Sequence, residues 1–334
     1  MTAMDWTRIT DLDIAGGTFL PGTAIETIRS AEAGAARAAL FDFDGTLSLI
    51  RSGWVDVMVP MMVAILQELR TGESAAELTA VVTQFVYRLT GKQTIYQMIE
   101  LAEQVRRRGG TPRDPLQYKH DYLDRLWEKI ADRVRALEEG RARAEDYLVP
   151  GSLALLAALK ARGLLIFVAS GTDEKYAARE AELLGLTPYL DDKVYGAIDD
   201  YRNYSKRLVI RRIMAEHKLR PAELIGFGDG YVEIENIKEA GGAAIGVATD
   251  EPACREIDRW KRARLIMAGA DAIVPNFAEL ANYAKAQGIT YSSHEDLVKK
   301  PEIVQFYDTK IKALMKDYAR VEQLRAFRVL PREF

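Results

Sequence analysis

The chain has 334 residues, 48% of them hydrophobic and 28% charged, with 46 lysines and arginines against 49 aspartates and glutamates for a net charge of −3. That length predicts two domains at roughly 100–200 residues each, with ample apolar material for a core and no signature of disorder. The near-neutral balance argues against a nucleic-acid partner, and the single Cys254 excludes a disulfide framework and a cysteine-based zinc site. His120, His217 and His294 lie far apart and have no ligand spacing. The longest apolar run, Val57 to Leu66, is about half the ~20 residues a membrane helix needs, and the N-terminus lacks the pattern of a secretory signal. A cytoplasmic protein with no membrane partner is expected.

Residues 1–36 read as a lead-in, with Gly16-Gly17 and a short helical patch near Ala24 to Ala33. Ala38 to Phe43 reads as a buried strand that ends in acids and a glycine turn. Over 51–149 the apolar residues recur at helical spacing, through Val55–Leu69, Leu78–Leu89, Ile95–Val105 and Tyr118–Leu137. Breakers separate these stretches at Gly72, Gly91, Gly109-Gly110 and Pro112, so an all-helical insert is expected. Met58, Met61 and Met62 fall in its apolar stripe, and Arg106-Arg107-Arg108 reads as a solvated helix end.

After Pro150-Gly151 helix and strand alternate. Helices are expected over Ser152–Arg162, Lys175–Leu184, Ser205–His217, Val232–Ala240 and Arg259–Ala268. Short apolar strands are expected over Leu164–Ala169, Leu224–Phe227, Ala243–Val247 and Ala272–Val274. Continuous apolar strands between amphipathic helices predict an α/β fold, a Rossmann-like parallel sheet covered on both faces, with ligands bound beyond the carboxyl ends of the strands. The expected division is therefore a lead-in at 1–36, a core at 37–50 and 150–280, a helical cap at 51–149, and a C-terminal helical segment at 281–334.

The expected strand ends carry chemistry. Asp42, Asp44, Gly45 and Thr46 follow the first strand, and Ser170, Gly171 and Thr172 follow the second. Lys206 opens a helix, and Gly228, Asp229, Gly230 and Glu233 follow a later strand. Taken singly, these are ordinary turn, cap and surface residues. Together they suit a phosphate ester: aspartates that share Mg2+, a carboxylate nucleophile, and a hydroxyl and lysine for the phosphoryl oxygens.

Phe41-Asp42-Phe43-Asp44-Gly45-Thr46, with Ser170, Lys206 and Gly228-Asp229…Glu233 in that order, resembles the four motifs of the haloacid dehalogenase superfamily, mostly phosphatases, over roughly residues 37–280. The resemblance implies that Asp42 is the nucleophile and that Asp44 is the general acid and then the base. It implies that Thr46, Ser170, Gly171 and Lys206 bind the phosphoryl group. It implies Mg2+ held by Asp42, the Asp44 carbonyl and Asp229, with Glu233 where the family commonly has a second aspartate. The acid at Asp44 favours phosphate esters over haloacids, because a halide leaves without a proton. The helical insert directly after the first motif is similar to the family's closing caps, which implies a small phosphorylated substrate such as a sugar phosphate or a phosphoglycolate-like acid. Arg51 and Trp54 at the hinge, and Gln93 and Thr94 in a polar cap loop, are candidate substrate contacts. A phosphomutase on the same scaffold is the alternative, and a non-catalytic interaction module is a third reading.

A second resemblance concerns the C-terminal segment. Leu297 to Glu302, the helix through Tyr318, and Phe327 to Phe334 look like the C-terminal region of long-chain acyl-CoA synthetases. No phosphate loop for adenylate accompanies them, so adenylation is not expected.

Overall fold

The computed structural model describes residues 14, 16–29, 36–161, 163–192, 194–199, 204–251 and 253–279. The C-terminal segment at 281–334, and with it the likeness to acyl-CoA synthetases, lies outside the described residues. Among the described residues eight strands form one sheet: β1 (Thr18–Phe19), β2 (Glu26–Thr27), β3 (Ala38–Phe41), β4 (Leu165–Asp173), β5 (Tyr195–Ala197), β6 (Leu224–Gly228), β7 (Ala243–Val247) and β8 (Ala272–Val274). Their order across the sheet is β1-β2-β8-β7-β6-β3-β4-β5. From β8 to β5 every pairing is parallel, while β1 and β2 add an antiparallel edge. The fold is α/β with a parallel core, as the alternating pattern predicts.

Side chains alternate across β3, and each face has its own core. Ala39 and Phe41 point into one cluster with Leu156 and Leu159, while Ala38 and Leu40 point into the other with Ile210, Ile213, Ile234 and Ile237. Helices α5 (Ser152–Ala161) and α6 (Glu174–Leu183) contribute to the first cluster. Helices α7 (Lys206–Glu216), α8 (Tyr231–Glu239) and α9 (Arg259–Ala268) contribute to the second. At the strand ends Phe41 stacks on Phe227 with centroids 4.4 Å apart, and Phe277 meets both rings edge-on. This aromatic block lies directly beneath Asp42, the next residue of the chain.

Between β3 and α5 the described residues form four further α-helices: α1 (Val55–Gln67), α2 (Ala75–Arg88), α3 (Thr94–Arg107) and α4 (Pro115–Glu138). Ser74 and Glu77 form a capping box at the start of α2, and Asp114 with Pro115 starts α4. Met58, Met61 and Met62 are buried in their shared core. In the basic run, Arg106 and Arg107 pair with Glu103 along the helix and Arg108 pairs with Glu73.

Two local expectations are corrected. Glu26 and Thr27, expected in a helical patch, form β2 instead. Glu26 is buried because Arg262, 236 residues away, grips its carboxylate at 2.6 and 2.7 Å. Strand β4 also runs past its apolar stretch to Asp173, because β5 pairs with its far end at Ala169↔Tyr195 and Asp173↔Ala197. Ser170, Gly171 and Thr172 thus sit within a strand.

Candidate active site

Strands β3, β4 and β6 are adjacent and parallel, with Phe41 level with Val168 and Phe227. Their carboxyl ends therefore converge, and Asp42, Ser170 and Asp229 meet at one edge of the sheet. The Asp42 amide donates to Phe227 O at 2.9 Å, which continues the ladder one residue past the strand. The chain then turns tightly, with Gly45 N–H donating to Ser48 O. Gly45 has φ +74, and a Cβ there would lie 2.3 Å from Asp229 Oδ2 and 3.2 Å from Glu251 Oε1. Only glycine fits both that conformation and that close approach.

Asp42 is nearly buried, and its Oδ1 accepts from Lys206 Nζ at 2.6 Å. The same ammonium contacts Glu233 Oε1. Burial holds the Asp42 carboxyl well above the ordinary carboxylate range; Lys206 opposes this, while Glu233 and Asp229 add to it as like charges. Asp229 is pushed up to about 6, again by burial first, with Lys261 opposing and Glu251 and Glu233 adding. Burial works against the charge on Lys206, but Asp42 and Glu233 outweigh it and hold the ammonium protonated.

Asp44 is held differently. Its Oδ2 accepts from Ser170 Oγ at 3.2 Å and Thr172 Oγ1 at 2.8 Å. Its Oδ1 is buried and has no hydrogen-bond partner among the described residues. Arg51 Nε lies 3.9 Å from that oxygen. Glu180, on α6, fixes the guanidinium through Nε at 3.1 Å and Nη2 at 2.7 Å.

A cavity of about 110 Å³ has Asp42, Asp44, Lys206 and Asp229 on its core side and Arg51, Trp54, Thr94 and Tyr122 on its helical side. Gly171 also lines it, and a Cβ there would lie 3.1 Å from Lys92 O, so the cap loop sits directly on this strand. Three cross-links hold the loop between α2 and α3 over the core. Arg264 donates to Tyr87 O at 2.9 Å, the Tyr231 hydroxyl to Arg88 O at 2.9 Å, and Gln93 Nε2 to Tyr204 O at 2.8 Å.

Some expected site residues are turned to other tasks. Thr46 is fully buried, and its hydroxyl accepts from the Asp229 amide at 3.0 Å, so it braces that loop and does not line the cavity. The Ser170 hydroxyl is committed to Asp44. Gln93 points its amide at Tyr204 and is not among the cavity-lining residues. Glu233 faces Lys206, with its Oε2 lacking a hydrogen-bond partner among the described residues. The sequence pattern placed Thr172 at a strand end without giving it a role, and it did not single out Glu180, Glu251 or Lys261. Thr172 stands two residues after Ser170 and was the most findable; the others lie on separate elements with no local signal.

Among the described residues no group of three or more His, Cys, Asp or Glu side chains is arranged to hold a metal ion. The donor set offered here is smaller: the Asp42 and Asp229 carboxylates with the Asp44 main-chain carbonyl. Mg2+ is commonly held in this way, by one or two carboxylates together with water and substrate phosphate. Two further observations fit it. Burial first, and neighbouring carboxylates after it, raise both carboxyls, which a divalent ion would offset. The side-chain-free Gly45 also lets Asp229 close on the nucleophile loop.

Three solved structures are similar to this chain at low identity. The first is described as a predicted phosphoglycolate phosphatase from Haemophilus somnus, 15% identical, covering 75% of this chain and 98% of its own, with TM-score 0.49. The second is a β-phosphoglucomutase from Clostridium difficile, 15% identical, covering 76% and 99%, with TM-score 0.49. The third is a hydrolase from Deinococcus radiodurans with bound phosphate and sodium, 19% identical, covering 78% and 100%, with TM-score 0.45. No curated protein matches the chain. The family model of haloacid dehalogenase-like hydrolases matches residues 36–241, and the chain belongs to that hydrolase family.

Proposed function

We propose that this hydrolase is a phosphatase that cleaves a small phosphate monoester through a phosphorylated Asp42. The supporting observation is the pairing in one small cavity of Asp42, capped on one oxygen by Lys206, with Asp44, whose Oδ1 is buried and unsatisfied. A general acid needs the oxygen that passes its proton to be free of a committed hydrogen bond, and Asp44 Oδ1 makes none among the described residues. Asp42 Oδ2 attacks phosphorus and the bond from phosphorus to the leaving oxygen breaks. Asp44 Oδ1 gives its proton to that oxygen, and the alcohol departs. Asp44 then takes a proton from a water that attacks the same phosphorus, the bond to Asp42 breaks, and inorganic phosphate leaves.

Ser170 and Thr172 hold Asp44 in place, and Lys206 draws the phosphoryl oxygens toward Asp42. Asp42, the Asp44 carbonyl and Asp229 would hold Mg2+. When bound, the ion supplies positive charge to the phosphoryl oxygens. The division into a core at 37–50 and 150–280 and a cap at 51–149 is part of this reading, with the cap excluding bulk water and limiting the substrate to a small, soluble phosphorylated metabolite. A cytoplasmic location is part of the same reading. Among the described residues no helix is long and apolar enough to cross a membrane.

The test is phosphate release from a panel of phosphate monoesters, with rapid acid quench to trap the phosphorylated protein. Wild type is expected to release phosphate in the presence of Mg2+ and to carry acid-stable, hydroxylamine-labile phosphate that Asp42→Asn abolishes. Turnover by Asp42→Asn at wild-type rate, or label on another residue, would overturn it.

A further inference from the structure

Two lysines are built into this site in the same way. Lys206 bridges Asp42 and Glu233, and Lys261, from α9, bridges Asp229 and Glu251. The reading of the family motifs accounts for the first bridge and leaves the second without a task. Lys261 Nζ lies 3.1 Å from Asp229 Oδ2 and 2.8 Å from Glu251 Oε1. Both acids crowd the nucleophile loop, since a Cβ on Gly45 would meet each of them. Asp258 caps α9 by accepting from the Lys261 amide at 2.8 Å, so the lysine stands in the first turn of the helix. Glu251 also accepts a hydrogen bond from Ser52 at the hinge and feels the charge of Arg133 on α4.

The geometry points to Lys261 and Glu251 as a positioning pair that sets how tightly Asp229 takes Mg2+. The inference rests on the metal reading above and goes beyond it in naming residues outside the donor set. An ammonium 3.1 Å from a ligand oxygen is a resident counter-ion. It neutralises Asp229 when no metal is present, and it must yield to the ion or repel it. Glu251 decides which, because it offers the ammonium a second carboxylate to lean on while Asp229 turns to the metal. The two residues therefore act on metal affinity with opposite signs. With a single positive charge this close to a bound divalent ion, each removal should change affinity roughly fivefold or more.

The experiment is calorimetric titration of magnesium chloride into the metal-free full-length protein without substrate, on wild type, Lys261→Gln, Glu251→Gln and Lys261→Arg, each checked for a cooperative thermal melt. Lys261→Gln should bind Mg2+ at least about fivefold more tightly than wild type and Glu251→Gln at least about fivefold more weakly, with Lys261→Arg near wild type. Unchanged or weakened binding in Lys261→Gln, or tightened binding in Glu251→Gln, overturns the inference while leaving the metal reading in place. Should Lys261→Gln fail to fold, the direction of the Glu251→Gln change decides alone. Wild type that binds no Mg2+ overturns the metal reading and this inference with it.

Discussion

The Lys206 ammonium lies 2.6 Å from Asp42 Oδ1, and each of the two side chains is 7% exposed. A pair this buried leaves neither charge free to be removed cheaply, since an unpaired buried ion costs several kcal/mol. The same contact gives Asp42 a defined orientation, with one oxygen engaged and the other available for attack.

Asp42→Asn keeps this shape and removes the anion. Turnover should fall at least ~10³-fold, in line with the loss of a covalent nucleophile. Steady-state phosphate release, with a thermal melt to confirm folding, checks it; more than about a tenth of wild-type turnover would remove Asp42 as the nucleophile.

In the metal-free protein the contribution of Asp229 to stability should fall as pH rises from about 4 to 6. Asp229 has its pKa raised from 3.8 to about 6 in the folded chain. The folded state therefore holds its proton more firmly than the unfolded state does. The resulting stabilisation is fully present below the unfolded value and is lost as pH passes the folded one, up to roughly 3 kcal/mol for this group. Asp42 shifts in the same direction. Urea denaturation at pH 5 and pH 7 measures the difference, which Asp229→Asn should reduce and saturating Mg2+ should flatten.

Glu180→Ala should destabilise the protein by about 3–5 kcal/mol, because it strips Arg51 of the carboxylate that grips it within the protein. The double variant Arg51→Met with Glu180→Leu should recover much of that loss in chemical denaturation. Activity should stay low in both, since Arg51 stands beside Asp44. Equal destabilisation by the single and double variants would show that the pair itself is not the source.

Gly45→Ala places a methyl group 2.3 Å from Asp229 Oδ2 at a backbone φ of +74. It should cost about 1–3 kcal/mol of stability and reduce turnover at least ~10²-fold by displacing Asp229 and the loop that carries Asp44. Melting temperature and kcat, measured on the same sample, would report both effects.

Much of the core was legible in the chain itself. Ala243–Val247 and Ala272–Val274 were readable to the residue, because an apolar run bounded by Gly, Asp or Pro has few alternatives to a buried strand. The helices between Val55 and Glu138 followed from 3.6-residue spacing, with their ends displaced by a few residues. Asp42, Asp44, Lys206 and Asp229 could be singled out because each stands at a strand end or a helix start. What only the tertiary structure decided is who faces whom across long separations. Two-residue strands such as β1 and β2 carry no periodicity, and Glu26 became a strand residue through Arg262. Thr46 and Ser170 were expected on the phosphoryl group, and the packing turns their hydroxyls toward the Asp229 amide and Asp44. Glu180 reached Arg51 across 129 residues, and Lys261 reached Asp229 from the first turn of the last described helix. Sequence pattern encodes the burial and local turn chemistry of each segment. The pairing of charges depends on how the segments are brought together, because a lysine or glutamate on a half-exposed helix turn has the same local appearance whether it meets water or a buried partner.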